Sequence, residues 1–372
     1  MNPDVVIILT AVFASTASAL VGCFLLLRRM TLISDAISHS VLPGIVAAYW
    51  LTSGQAATIP ALLGAGAMGL LTVAAVEALA RSGRVKNDAA IGIVFPLFFS
   101  LGVIAVSLWF RNVHLDLDAV LYGEIAYAPF NTLTLVGVTL PESWLLMGGL
   151  ALANALFVGL LYKELKLSTF DAGLAAALGF APGLVHYGLM TLLSLTTVGA
   201  FQSVGAILVI ALIIVPPATA YLLTQRLPLM IATAIGVGVV ASVGGYVLAI
   251  VLDASIAGMM ATVAGACFFL ALLFSPTTGV IATLTRRRRQ RHEFATRLLV
   301  SHVGHHGGRP ISLAELQTEL AWHPARLERA RAAALRAGLA TLEPQGLTLT
   351  EEGNRLAASL VRRPGQAAPV SA

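Results

Sequence analysis

Asp35 and His39 stand four residues apart in RRMTLISDAISHSVLPG, residues 28–44, a stretch that is otherwise mostly apolar. On a helix this spacing puts both side chains on one face, one turn apart. A carboxylate beside an imidazole is a ligand set suited to manganese, iron or zinc, whereas magnesium and calcium take shells of oxygen. Pro43 follows His39 by four, so it removes the N–H that would bond the His39 carbonyl. An acid, an imidazole and a freed carbonyl therefore gather on one turn. An acidic side chain at mid-bilayer costs roughly 2.5–3.5 kcal/mol, so such groups face a protein interior or a wet pathway. A second reading fits the same residues. Asp35 lies close behind Arg29 and is placed to cap the helix, and His39 is then a core histidine satisfied by its neighbours.

The elements that must carry this pair are membrane spans. The 372-residue chain is 58% hydrophobic and 11% charged, with a mean hydropathy of +0.87. Soluble proteins carry about 25% charged residues. The fold class expected is an all-α polytopic membrane protein with 8–9 transmembrane helices and a small C-terminal α+β domain. A spanning helix needs about 20 apolar residues. Such runs lie at 5–27, 32–52, 56–80, 89–110, 144–162, 183–201, 203–223, 228–252 and 254–275. Residues 118–140 form a weaker run, broken by Glu124 and Pro129, and read as an outer-surface loop or a re-entrant piece. Pro216 and Pro217 free the carbonyls of Leu212 and Ile213 and are expected to kink or break their helix. With Pro43 and Glu124 they are candidates for a pathway or gate.

Basic residues mark cytoplasmic loops. They fall at Arg28 and Arg29, at Arg81, Arg84 and Lys86, at Lys163 and Lys166, at Arg226, and at residues 286–289. Nine crossings satisfy this alternation, with the N-terminus outside and the C-terminus inside, and eight result if 183–223 is read differently. Residues 1–4 carry no positive charge, so no secretory signal is expected. Cys23 and Cys267 both sit in apolar runs and give no disulfide framework.

The loop 163–182 differs in kind. Ser168 or Thr169 is placed to cap a short helix with Asp171 in its first turn. Phe170, Leu174 and Leu178 share one face, which either lies on the membrane surface or docks into a partner. No GxxxxGK[ST] loop, Gly-x-Ser-x-Gly elbow or His-Glu-x-x-His pair occurs, so the chain has no P-loop nucleotide site and no sign of covalent chemistry.

The net charge of +5 is unevenly divided: residues 276–372 hold 14 basic and 7 acidic side chains, and the rest of the chain is slightly acidic. Residues 1–280 read as the membrane domain, 281–291 as a basic linker, 292–363 as a soluble domain and 364–372 as a disordered tail. In the soluble part, helices are expected at 292–304, 312–321 and 324–337, short strands at 339–343 and 347–350, and a helix at 351–361. Ser312 with Glu315 forms a capping-box pattern. Arg326, Arg329, Arg331 and Arg336 make DNA contact conceivable, and His302, His305 and His306 form a cluster that reads as a solvated loop more readily than as a metal site.

Several blocks together resemble the membrane permease of bacterial ABC-type manganese, zinc and iron importers. In order they are VGCFLLLRRMTLISDAISHSVLPGI at 21–45, KNDAAIGIVF at 86–95, KELKLSTFDAGLAAALGF at 163–180, QSVGAILVIALIIVPPATAYLL at 202–223 and FFLALLFSP at 268–276. The resemblance implies that Asp35 and His39 are the metal-pathway pair. It also implies that residues 170–179, with Phe170, Asp171, Ala175 and Gly179, are the helix that couples to a separate ATPase. Implied partners are that ABC ATPase, an extracytoplasmic metal-binding protein, a second permease chain (a copy or a paralogue) and membrane lipid. The implied cargo is manganese, favoured, or zinc or iron. No permanently bound cofactor and no ATPase site of its own are implied. The implied location is the bacterial cytoplasmic (inner) membrane, multi-pass, with the C-terminal domain in the cytoplasm. The LYGE at 121–124 departs from the family's usual Leu-Phe-Gly-Asn and adds Glu124 on the outer side.

The tail resembles a winged helix, and GLTLTEEGNRLA at 346–357 is similar to the wing of iron-dependent repressors. The dimerisation and metal-sensing region that follows the wing in those repressors is absent, so a regulatory or contact role is expected ahead of DNA binding. The alternatives to an ABC permease are an ATP-independent secondary metal transporter or channel, and a membrane-tethered, metal-responsive regulator.

Overall fold

A computed structural model describes residues 2–52, 58–109, 125–135, 138–276, 278–307 and 309–361. The chain forms two units, residues 1–279 and 280–372.

The first unit is almost wholly helical. Its helices are α1 (Pro3–Leu27), α2 (Leu32–Ser40), α3 (Leu42–Leu51), α4 (Thr58–Arg81), α5 (Asn87–Trp109), α6 (Glu142–Leu160), α7 (Tyr162–Phe170), α8 (Ala172–Ala177), α9 (Pro182–Val204), α10 (Ala206–Leu223), α11 (Leu227–Leu252) and α12 (Ile256–Phe274). Among the described residues nine segments are long and apolar enough to cross a membrane: α1, the α2–α3 pair, α4, α5, α6, α9, α10, α11 and α12. The part of the weak run 118–140 that is described is no span. It is a single turn of 3₁₀-helix at Ile125–Tyr127, then an antiparallel hairpin of β1 (Thr132–Leu135) and β2 (Val138–Pro141), with Thr132 opposite Pro141.

Helix α1 is the most buried span, with α6, α9, α10 and α11 packed around it. Asn2 caps it, its side chain accepting from the Asp4 amide at 3.0 Å, and Pro3 opens the first turn, where a missing N–H costs nothing. Ala11, Ala14, Ala17 and Val21 line its buried face, and such small side chains let membrane helices approach closely. Gly22 marks the tightest approach, because a Cβ there would lie 2.2 Å from the Ile213 carbonyl oxygen of α10. Buried polar pairs tie the same bundle. Asn154 of α6 donates to the Ala17 carbonyl at 3.0 Å and to the Thr196 hydroxyl at 2.8 Å.

Two breaks do not fall where the sequence places them. The run 32–52 is two helices meeting at Val41, whose carbonyl accepts from the amides of Gly44 at 2.9 Å and Ile45 at 3.1 Å. Pro43 thereby sits in the first turn of α3, where it needs no donor. Conversely, α10 runs as one helix through Pro216 and Pro217, and the break between the spans expected at 183–201 and 203–223 falls at Gly205, whose φ of +88° favours glycine.

The second unit consists of α13 (Val280–His305), α14 (Leu313–Leu320), α15 (Pro324–Arg336), the antiparallel hairpin of β3 (Ala340–Glu343) and β4 (Gly346–Leu349), and α16 (Glu351–Val361). This is the expected element order, with one difference: the basic stretch 281–291 is the first half of α13 rather than a connecting segment. Its own core gathers Leu299, Val303, Ile311, Leu316, Leu327 and Leu347. Ile311 and Leu347 exchange backbone hydrogen bonds at 3.1 and 2.8 Å, adding a bridge to the hairpin. Ser312 caps α14, accepting from the Glu315 amide at 3.2 Å, while the Glu315 carboxylate pairs with Arg309 at 2.7 Å.

Candidate functional site

The α2 helix carries Asp35 and His39 on one face, as their spacing requires. The His39 Nε2 lies 3.5 Å from the Asp35 Oδ1, too far for a strong hydrogen bond, so neither group saturates the other. Thr31 stands at the cap position of α2, and Asp35 lies in its first turn. The imidazole faces Phe95 and Phe99 of α5 at ring separations of 6.0 and 6.4 Å. Ile33, Ser34, Ile37 and Ser38 turn into the bundle, whereas the side chains of Asp35 and His39 stay 42% and 47% exposed on the single chain. Two polar ligands are thus presented from a span on a surface left partly open by the described residues. They supply one carboxylate and one imidazole, short of the four or more donors a transition-metal ion takes.

Close packing fixes this stretch against α4. A Cβ on Gly44 would lie 2.2 Å from the Gly64 carbonyl oxygen, and one on Gly64 2.4 Å from that of Gly44. The Ser40 and Thr72 hydroxyls pair at 2.8 Å beside it. With Pro43 in the first turn of α3 and Gly44 touching α4, the turn that follows His39 is held by backbone contact.

The segment after α7 is organised differently from the expectation. Asp171 is itself the cap of α8, accepting from the Leu174 amide at 2.9 Å, rather than lying in the first turn of a helix capped by Ser168 or Thr169. Gly179, at φ +85°, closes α8. Its amide bonds the Ala176 carbonyl, and the next amide, of Phe180, reaches Ala175, both at 3.0 Å, which is a Schellman closure. Ala175 is fully buried underneath. Phe170, Leu174 and Leu178 project outward with exposures of 65%, 48% and 61%, an apolar face left open by the described residues.

Ser168 and Thr169 have another role, which sequence reasoning missed. Arg28, just past the end of α1, donates from Nε to the Thr169 hydroxyl at 3.1 Å and from an Nη to the Ser168 hydroxyl at 3.0 Å. Its other Nη lies 2.9 Å from Nδ1 of His186 on α9, and Nε2 of His186 meets the Glu77 carboxylate of α4. With Arg28 as donor, Nδ1 accepts and Nε2 carries the proton given to Glu77. Tyr187 and Arg81 complete the shell of Glu77, each at 3.1 Å. Burial pulls the Arg28 guanidinium below its usual value. This cluster joins α1, α4, α7 and α9. Its only sequence signals were a single acid in an apolar run and a histidine with no assigned use.

The remaining candidates separate. Pro216 and Pro217 lie in the buried middle of α10, and the Ile213 carbonyl freed by Pro217 faces Gly22. Glu124 lies outside the described residues. In the tail, Arg326 stacks on Trp322 at 4.4 Å, Arg329 bonds the Ala325 carbonyl of its own helix, and Arg331 pairs with Glu328. Three of the four arginines that made DNA contact conceivable are thus engaged within the unit.

Nine apolar spans, an uncovered acid–imidazole pair in one of them and a short apolar-faced helix between two others define a multi-pass membrane protein of the transporter type. Residues 5–275 match the ABC 3 transport family, and the chain belongs to that family of membrane permease subunits. It is 46% identical over 356 residues to the zinc transport system membrane protein TroD of Treponema pallidum, covering 94% of this chain and 97% of the relative. At that coverage the likeness extends well into the second unit. It is 44% identical over 296 residues to the manganese transport system membrane protein MntD of Bacillus subtilis, covering 79% of this chain and all of the relative. Among solved structures it is similar to PsaBC from Streptococcus pneumoniae in complex with Fab, with a TM-score of 0.61 and 31% identity over 73% of this chain and 91% of that one.

Proposed function

We propose that this chain is the membrane-spanning subunit of an ATP-driven importer of divalent transition-metal ions, with manganese favoured and zinc or iron as the other candidates. The observation that carries the reading is the exposure of Asp35 and His39 on a face of α2 within an apolar span. Leaving that pair against lipid is costly, by the same roughly 2.5–3.5 kcal/mol that an acid costs at mid-bilayer. A second permease chain, a copy or a paralogue, covers it. Two such pairs bring two carboxylates and two imidazoles together, enough to replace much of the ion's hydration shell.

The chain lies in the bacterial cytoplasmic membrane with its basic loops and second unit inside. An extracytoplasmic metal-binding protein releases the ion at the outer mouth, where Glu124 adds a negative charge. Pro43, Pro216 and Pro217 mark the helices whose rearrangement gates the route. A separate ATPase supplies the energy, and no ATP site belongs to this chain. That ATPase docks on the face of Phe170, Leu174 and Leu178, with Asp171, Ala175 and Gly179 holding the helix that presents it. An ATP-independent carrier would have no use for that face. The second unit acts as a regulatory or contact module rather than a DNA reader.

The test is uptake of manganese, zinc and iron, one at a time, into vesicles holding the chain with its ATPase and metal-binding protein. ATP-dependent accumulation of one of them is expected. Uptake that proceeds equally without the ATPase would overturn the reading.

A further inference from the structure

The second unit holds a cluster that the transport reading does not use. His302, near the end of α13, and His306, one turn later, are spaced four apart. Glu319 of α14 reaches between them: its Oε2 lies 2.6 Å from the His302 Nε2 and 3.2 Å from the His306 Nε2. The three donor atoms all fall within 4.8 Å of one another. The two rings stand edge to face with centroids 5.3 Å apart, so both nitrogens converge on one point instead of stacking. His305 is not part of the group, since its Nδ1 bonds the Ser301 carbonyl at 2.8 Å.

We propose that His302, His306 and Glu319 bind one divalent transition-metal ion of the zinc and cobalt type, at a site separate from Asp35 and His39. A four-coordinate ion with bonds of 2.0–2.2 Å holds its donors about 3.4 Å apart. The 3.2 Å separation is already close to that, and the 2.6 Å hydrogen bond between His302 and Glu319 has to lengthen by less than 1 Å, so small side-chain rotations open a seat for the ion. Two imidazoles with one carboxylate favour such ions over magnesium and calcium. Side-chain exposures of 27% and 28% for the histidines and 34% for the glutamate leave the cluster open on one side, which provides an entry path and a place for a water as fourth ligand. The C-terminal end of α13 adds the negative end of a helix dipole.

The competing account is that the carboxylate only pins the end of α13 to α14. The two are separated by titrating Co²⁺ into the metal-stripped full-length chain in detergent and following its visible d–d absorption, with Zn²⁺ as competitor. The site predicts the intense bands of four-coordinate cobalt and their loss when zinc is added. It also predicts that these bands persist in the Asp35→Ala/His39→Ala double variant, so their fate does not depend on the transport reading. The double variant His302→Gln/His306→Gln should lose them. Glu319→Gln keeps the shape and a hydrogen bond to the histidines, and should weaken cobalt binding at least tenfold without unfolding the unit. His305→Gln should bind like wild type. Equal affinity and stoichiometry in wild type, Glu319→Gln and the His302/His306 variant would overturn the proposal, as would the absence of any four-coordinate cobalt spectrum in wild type.

Discussion

Arg28 donates a hydrogen bond across 3.1 Å to the hydroxyl of Thr169, residues 141 positions apart in the chain. With its bonds to Ser168 and His186, it fastens the end of α1 to the helix that leads into the apolar face of α8. His186 and Glu77 extend the same hydrogen-bond cluster to α9 and α4, which makes it the route by which movement of that face is expected to reach the bundle. A lysine keeps the charge but cannot reach three acceptors with one planar fork. Arg28→Ala, and to a lesser degree Arg28→Lys, should lower metal transported per ATP hydrolysed by about tenfold, equivalent to about 1.4 kcal/mol. Parallel measurement of uptake and phosphate release on the assembled complex checks this. An unchanged ratio in both variants would remove Arg28 from the route.

Gly22 and Ile213 give a second test. Pro217 frees the Ile213 carbonyl, and the backbone of α1 packs against that oxygen at Gly22, where only a residue without a Cβ fits. Gly22→Ala puts a methyl group 2.2 Å from that oxygen, so α1 and α10 must separate. The expected cost is about 1–3 kcal/mol, the range for overpacked cores. It should show as a lower midpoint of thermal unfolding in detergent, with Gly148→Ala, where a Cβ meets only ordinary contacts at 3.8 Å, as the neutral comparison.

Arg29 closes α1 in the left-handed region at φ +58°, where glycine is the usual residue. Its amide bonds the Leu26 carbonyl and that of Met30 the Leu25 carbonyl, each at 3.0 Å. Arg29→Gly should relieve about 1 kcal/mol of backbone strain and raise the unfolding midpoint. A fall in the midpoint would mean that the Arg29 side chain contributes more than its backbone costs.

The spans were legible because each is a run of about 20 apolar residues, a signal that needs no tertiary information. The tail was legible for the same kind of reason: Ser312, Pro324 and Gly338 punctuate its helices locally. The break at Val41 was not, because Pro43 has two solutions, a kink within one helix or a place in the first turn of a new one, and packing of Gly44 on Gly64 favours the second. Continuity through Pro216 and Pro217 was hidden likewise, since the backbone packed against the freed Ile213 carbonyl lies on α1, far away in sequence. The pair Asp35 and His39 was readable from spacing. The Arg28, Glu77 and His186 cluster was not, because its members are far apart in sequence and each is ordinary alone.

The apolar face of α8 supports a docking prediction. Phe170 and Leu174 are held outward by the Asp171 cap and the Gly179 closure. Burying a side chain of this size contributes about 1.5–3 kcal/mol. Phe170→Ser should weaken association of the ATPase about tenfold to a hundredfold, measured by titration of the purified ATPase onto the chain in nanodiscs. Unchanged affinity in Phe170→Ser and Leu174→Ser would place the docking surface elsewhere.

The central claim is that Asp35 and His39 contact the transported ion. The direct measurement is ATP-dependent metal uptake by the assembled complex with Asp35→Ala and His39→Ala at matched assembly, alongside ATP hydrolysis. The account predicts that both variants lose at least tenfold in uptake while hydrolysis persists. Normal uptake in both would contradict it and move the metal route to another part of the bundle.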